Sequence, residues 1–534
     1  INGHIDSMTR DIAAMQVLGP NPALTVRWLD DLLRQGELPR LTSGKGIVLD
    51  KHAVRGAGSM SRMWDYYSGA LNHVAPEDRG RARFFSGLRN LNVMSKIGSA
   101  FLSALPTDPM FAGVTAYFNG LPVMDDIGAW LKTFNPLDPA HREAAMHSGL
   151  VFHEMTQRAE KIWRDGQGLN VHELTSRGAD MVLRGQLLAP HTVARKMATG
   201  LSFMKDWADH AGEAFDHLAE DKRISLERYG IDRADWDRLR ATPLVDQGTL
   251  KLLRPGDLVR GSDDPAALAT AVKFFSMIDS ETRFAVPDST LRAQTAVATL
   301  GGAVRMKRGT WGGELLHSGS QFKTYSVTVM MTHLERALYG RGGMSRASYA
   351  ITLPILLTLG GFIANSLIEL ANGKDPSPFA DPLTLGRAIV RGGGAGMLGD
   401  LAGQGLSGDR QAGGGLSGFV LGPTMGTVVD PLYNLTLGNI GAAASGDKTT
   451  VGAELVRGLR RNLPGGNVWY ARAAVNRLMM DRLQELADPH YRQSWRRMNR
   501  AAAENGTQFY WAPGDSAPER APDLSNAFDG ETVR

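Results

Sequence analysis

Asp206, His210, Glu213 and His217 recur at spacings of four, three and four within the run GLSFMKDWADHAGEAFDHLAEDKRISLERYG. On a continuous helix that spacing lines the four along one face, and two imidazoles with two carboxylates can bind a divalent metal. Asp209, Glu220, Asp221, Lys222 and Arg223 crowd the same stretch. A solvated polar face is therefore the plainer reading, and no metal is assigned. His153–Glu154 and His172–Glu173 begin like the HExxH zinc motif, but Gln157 and Ser176 stand where the second histidine belongs. GKG at 44–46 lacks the frame of a phosphate loop, and the GLSG runs at 405–408 and 415–418 do not make a GxSxG nucleophile elbow. With no cysteine in 534 residues, disulfides, thiolate catalysis and Cys-ligated zinc are excluded. No catalytic, cofactor-binding or metal-binding residue is assigned.

The elements that would carry such groups read as helices. IDSMTRDIAAMQVLG places Ile5, Met8, Ile12, Met15 and Leu18 on one stripe and stops at Gly19–Pro20–Asn21–Pro22. Thr25 is the expected cap of VRWLDDLLRQG. AFLSALPTDPMFAGVTAYFNGLPVMDDIGAWL is apolar but carries charges and prolines, so a buried core is expected there rather than a membrane span. The polar run from Gly200 is expected to stay helical up to Gly230, and Asp232 opens a short helix with Asp235 in its first turn. SVTVMM alternates, yet Val327, Met330, Met331, Leu334 and Leu338 fit one helical face over a longer span, and helix is expected. The fold class is all-α: an elongated multi-helix assembly. With 43% hydrophobic and 21% charged residues the chain is a folding one, and a formal net charge of +4 implies no nucleic-acid partner by itself.

From Ala347 to Ile368 there are 22 residues without a formal charge, bounded by Arg346 and Glu369. A helix of that length reaches about 33 Å, enough for a bilayer's hydrocarbon core. Thr352, Pro354, Thr358, Gly360–Gly361, Asn365 and Ser366 dilute it, which suits a helix that inserts only conditionally. Beyond the charged, proline-rich turn ANGKDPSPFADP, the region from Gly386 to Gly446 is glycine-rich and apolar, and its small residues permit close helix contact. Expected membrane-contact residues are Ile351, Leu353, Ile355, Leu356, Leu357, Leu359, Phe362 and Ile363, with Phe419, Val420 and Leu421 from the second region. Arginine at Leu357 or Phe362 is expected to spoil insertion more than packaging, and equal loss of both would favour a plain core helix.

Near the end, Leu478, Met479, Leu483 and Leu486 make an amphipathic face that Pro489 interrupts. The helix YRQSWRRMNR follows, and its Arg492, Trp495, Arg496, Arg497 and Arg500 are the expected contact with an anionic surface. The last twenty or so residues, polar and proline-containing, are expected to be extended. Four regions result: N-terminal helical 1–150, central helical 151–345, membrane-associated 346–450 and amphipathic C-terminal 451–534.

Several phrases occur in a telling order: MTRDIAAMQVLGPNP, YGIDRADWDRLR, FAVPDSTLR, RGTWGGELLHSGSQFKTYSVTV, LPGGNVWYARAAVNRLMMDRLQELADPHYRQSWRRMNR and FYWAPGDSAPERAPDL. The set resembles the C-terminal part of the large internal core, or ejection, proteins of short-tailed phages. Some of those carry a lytic transglycosylase domain near the N-terminus. None of the phrases is a catalytic motif, so the resemblance carries over no active site. It implies a non-enzymatic protein stored in the capsid and released into the host envelope, forming part of a channel for genome delivery across periplasm and inner membrane. Implied partners are further copies of itself, other virion core proteins and the portal, the host inner membrane, and phage DNA passing without regard to sequence. A chain that starts at Ile1 without methionine is read as a piece of something longer. Two other readings stay open: an arm of a peptidoglycan lyase or virion polymerase, and a bacterial inner-membrane scaffold.

Overall fold

Local chemistry sets most helix boundaries. Helix α1 (Asn2–Leu18) stops at Gly19, whose φ of 84° is a left-handed turn that glycine enters without steric cost. Helix α2 (Pro22–Gln35) starts three residues before the expected cap. Asn21 takes that role, its Oδ1 accepting from Leu24 N at 3.2 Å, while the Thr25 hydroxyl donates to the Asn21 carbonyl from inside the first turn. The computed structural model describes residues 2–35, 60–134, 140–147, 173–247, 250–299, 306–393, 451–488 and 490–528. At 72% helix and 2% strand the fold is all-α. The strand is one short antiparallel pair, β1 (Val245–Gln247) and β2 (Leu250–Leu252).

Two hydrophobic cores share one wall. That wall is α4 (Ala100–Phe118), which follows α3 (Arg79–Lys96) and buries Phe101, Leu102, Phe111, Ala112, Val114, Ala116 and Phe118. Pro106 and Pro109 lie inside α4 without ending it, and the expected buried core is found here. On one side stand α5 (Val123–Phe134), α6 (Leu188–Asp209), α7 (Glu220–Arg228), α8 (Arg233–Arg240) and α9 (Pro265–Ala285). Their core holds Leu201, Phe203, Met204, Trp207, Leu226 and Trp236, with Phe274 and Met277 from α9. On the other side, Phe111, Val114 and Phe118 of α4 meet Val329 of α10 (Lys323–Tyr339) and Tyr349, Leu353 and Leu357 of α11 (Arg346–Ala371). The segment SVTVMM is helical within α10, as its longer period requires.

The long polar helix expected up to Gly230 is not continuous. Helix α6 ends at Asp209, His210 follows in a turn, and a short 3-10 turn spans Phe215–His217 before α7 starts at Glu220. His210 Nδ1 lies 2.7 Å from the Asp206 carbonyl oxygen and closes off the helix end, while Lys222 of α7 folds back onto the Asp206 carboxylate. Helix α8 follows expectation. Asp232 accepts from Asp235 N at 2.9 Å and Asp235 accepts in return from Asp232 N, a reciprocal capping box.

Candidate membrane-contact face

Helix α11 is one unbroken helix of 26 residues with Pro354 inside it, and Ser345 caps its start by accepting from Ser348 N at 3.1 Å. Among the described residues it is the single helix long and apolar enough to cross a bilayer. Only 33% of its most apolar stretch is buried, whereas the core helix of a soluble protein is mostly buried. Its two faces differ. Leu353, Leu357, Gly360, Gly361, Phe362 and Ala364 face the protein, with Leu356 half-buried. Ile351 and Ile355, 62% and 61% exposed, continue with Leu359 and Ile363 into an apolar stripe at spacings of four that faces outward.

The expected contact residues therefore divide. Ile351, Ile355, Leu359 and Ile363 are placed to touch a surface in this state, whereas Leu353, Leu357 and Phe362 are packed against the protein. Arginine at Leu357 or Phe362 therefore does not isolate insertion: a guanidinium there would enter the core in this state. Ile351 and Ile355 are the informative positions. Phe419, Val420 and Leu421 lie outside the described residues, as do the GKG and GLSG runs.

Backbone contact joins α11 to α12 (Pro382–Arg391). A Cβ at Gly361 would collide with the Ala388 carbonyl, and one at Gly392 with the Leu357 carbonyl. Gly360 faces the backbone of α4 at Pro106 and Thr107. These glycines let α11 lie against two partners at once, the contact mode small residues give helices in lipid or tight bundles.

The start of α11 is held by a buried ionic node that sequence reading missed. Glu281 of α9 is fully buried and accepts from Arg336 of α10 through both oxygens at 2.8 Å, from Arg228 at 2.8 Å, from Tyr229 at 2.7 Å and from Asn119 at 2.7 Å. Burial alone would raise its carboxyl pKa, but Arg336, Arg228 and the two neutral donors outweigh that and hold it below the usual carboxylate range. Arg228 also donates to the Arg341 carbonyl at 2.7 Å, and Gly343 N donates to the Phe118 carbonyl at 2.9 Å, which fixes the α10–α11 connection. His333 of α10 bonds the Tyr349 hydroxyl at 2.7 Å, and burial with Arg336 nearby lowers its pKa to about 3, so it stays neutral near pH 7.

The C-terminal module supplies the second set of expected residues. Helices α13 (Val451–Asn462) and α14 (Asp481–Ala487) pack together, α14 following a π-helical turn over Val475–Met480. This module buries polar groups and exposes apolar ones. Arg477, Asp481 and Gln484 are buried, while Leu478, Met479, Leu483 and Leu486 face outward. Arg492, Arg496, Arg497 and Arg500 are exposed on α15 (Tyr491–Glu504), and Arg496 and Arg500 make no ion pair among the described residues. Trp495 is half-buried: its ring lies edge-on against Tyr491 and close over Gly514.

The tail after α15 is extended, but it is docked. Asp375 N donates to the Gln508 carbonyl at 2.8 Å, Tyr510 N donates to the Gly373 carbonyl at 3.0 Å, and Phe379 N donates to the Ala527 carbonyl at 3.0 Å. Arg520 pairs with the buried Asp375, and Ala527 packs between Phe362 of α11 and Ala388 of α12. Three consecutive aromatics, Phe509, Tyr510 and Trp511, in an otherwise polar tail were the available signal that it docks.

The four residues Asp206, His210, Glu213 and His217 do not share one helix face, because only Asp206 lies within α6; His210, Glu213 and His217 follow it in the turn. Among the described residues no group of three or more His, Asp or Glu side chains is placed to hold a metal ion. Comparison of the chain with family models, with curated proteins and with solved structures finds no match.

Proposed function

We propose that this chain is a structural subunit of the ejection machinery of a short-tailed phage, stored in the capsid and released into the host envelope, where several copies form part of a channel for DNA. The observation that carries the membrane part of this reading is the outward stripe Ile351, Ile355, Leu359 and Ile363 on a helix long enough to span a bilayer. The virion part rests on the resemblance of the ordered phrases to phage core proteins. The exposed arginines of α15 support contact with anionic headgroups, each basic side chain near such a surface adding about 1 kcal/mol. In this reading the protein is not an enzyme, and its partners are its own copies, other core proteins, the portal and the inner membrane.

Two measurements test it. The oligomeric state of the full chain is compared in dilute buffer and in vesicles of phosphatidylethanolamine and phosphatidylglycerol, with a discrete higher oligomer expected only in vesicles. A monomer in both sinks the channel. Ile355→Arg is expected to weaken vesicle partition about 100-fold, since arginine at a helix centre costs about 2.5–3.5 kcal/mol in lipid. The same change at an exposed site should leave solution stability within about 0.5 kcal/mol. Mass spectrometry of purified particles tests the virion assignment directly.

A further inference from the structure

We propose that residues 507–528 are a strap that must leave the turn between α11 and α12 before α11 can enter a bilayer, so that the tail controls when the apolar face is usable. The proposal rests on the membrane reading of α11 given above. It concerns regulation of that same element.

The two ends of α11 are fastened differently. Its start is held by buried groups that cannot separate without exposing the Glu281 node and the core around Phe118. Its end runs into the turn 372–381, where Glu369 of α11 holds Lys374 and Ser377 and further partners come from the tail. Lys374 and Phe509 form an antiparallel bridge. The Tyr510 hydroxyl donates to the Leu370 carbonyl at 2.5 Å, and Trp511 N donates to the Gly373 carbonyl at 3.1 Å. Asp375 accepts from Arg520 and, at 2.9 Å, from Asp523 N. Asn526 donates to the Pro376 carbonyl at 2.8 Å. Arg477, beneath the crossing, donates to the Asn372 carbonyl at 3.0 Å and the Trp511 carbonyl at 3.1 Å, tying turn, tail and C-terminal module together.

The outer part of this strap is suited to opening. Residues 516–525 are exposed, and from Ser516 onward the ties to the turn are the Arg520–Asp375 ion pair, the hydrogen bonds of Asp523 N, the Asn526 amide and the Ala527 carbonyl, and the small apolar plug Ala527. Segments held by few buried apolar contacts open locally at far less cost than global unfolding. While the strap is docked, the turn and the ends of α11 and α12 are tied to the C-terminal module. Phe362 stays covered by Ala527 and by Phe379, whose ring centroid is 4.8 Å away. Once it is released, the turn end of the glycine-packed pair α11–α12 loses these ties and keeps the bond from Arg477 to the Asn372 carbonyl.

The test uses the absence of cysteine from the chain. Lys374 and Phe509 are a non-hydrogen-bonded antiparallel pair, because the bonds run from Asp375 N to Gln508 O and from Tyr510 N to Gly373 O. Such pairs have Cα atoms about 4.5 Å apart, within disulfide reach. Full-length protein carrying Lys374→Cys with Phe509→Cys is floated with phosphatidylethanolamine–phosphatidylglycerol vesicles, oxidised and reduced, beside wild type and Arg520→Glu. The proposal expects flotation of the oxidised form to fall at least tenfold below the reduced form, and Arg520→Glu to float above wild type. Equal flotation of oxidised and reduced protein overturns the strap and leaves the membrane reading standing. If no form floats while hydrogen exchange shows residues 507–528 opened in Arg520→Glu, the membrane reading fails and the strap's role fails with it. Should the double variant misfold, Arg520→Glu decides: an opened tail with unchanged flotation overturns the proposal.

Discussion

At the scale of residues, the decisive groups are ones that no motif marks. Glu281 carries one negative charge among two arginines, a tyrosine and an asparagine drawn from three other stretches of chain. Removing one partner of a buried ion pair leaves the others charged and unpaired, so Glu281→Ala is expected to cost about 3–5 kcal/mol in chemical denaturation. His333 sets a pH dependence. Its folded pKa of about 3 lies below the ordinary 6.5, so the unfolded chain binds the proton first as pH falls. Stability from this group is full above about pH 6.5 and is lost progressively toward pH 3. His333→Asn is expected to lose less melting temperature than wild type between pH 7 and pH 4. An equal loss would place the acid sensitivity elsewhere, with Glu281 the next group to examine.

At the scale of elements, α11 combines a core face and an outward apolar face. Its length and lack of charge were plain in the sequence, but the division between Leu353 or Leu357 and Ile351 or Ile355 was not, because both sets are aliphatic. The glycines decide how it packs. Gly361 and Gly392 lie where any side chain would strike a carbonyl of the other helix. Gly361→Val is expected to push α11 and α12 apart and lower stability by about 1–3 kcal/mol, the usual range for overpacking. Substitution at exposed Ile351 should not do so. Thermal melts of the two variants side by side check the contrast, and equal losses would mean the α11–α12 contact is looser than its geometry indicates.

At the scale of the whole molecule, the parts related to the proposed function come from distant stretches of chain. The turn after α11 is held by a tail 145 residues further on, through Arg520 and Asp375. The start of α11 is held by Glu281, 55 residues before its partner Arg336. Helix α11 thus presents its apolar stripe while both of its ends stay fastened.

The sequence by itself determined what depends on neighbours within a few residues. The helical class came from apolar periodicity. The stop at Gly19 came from its freedom at positive φ, and the box at Asp232–Asp235 from side-chain reach. The existence of α11 followed from 22 residues without a charge. Tertiary structure alone decided which face of α11 is covered, why the helix expected through His210 ends at Asp209, and where the tail docks. In each case the cause is a partner far along the chain: α4 against Leu353, Lys222 against Asp206, and Arg520 against Asp375. Hydrophobic pattern states that a face can be buried, and only the packing partner determines whether it is.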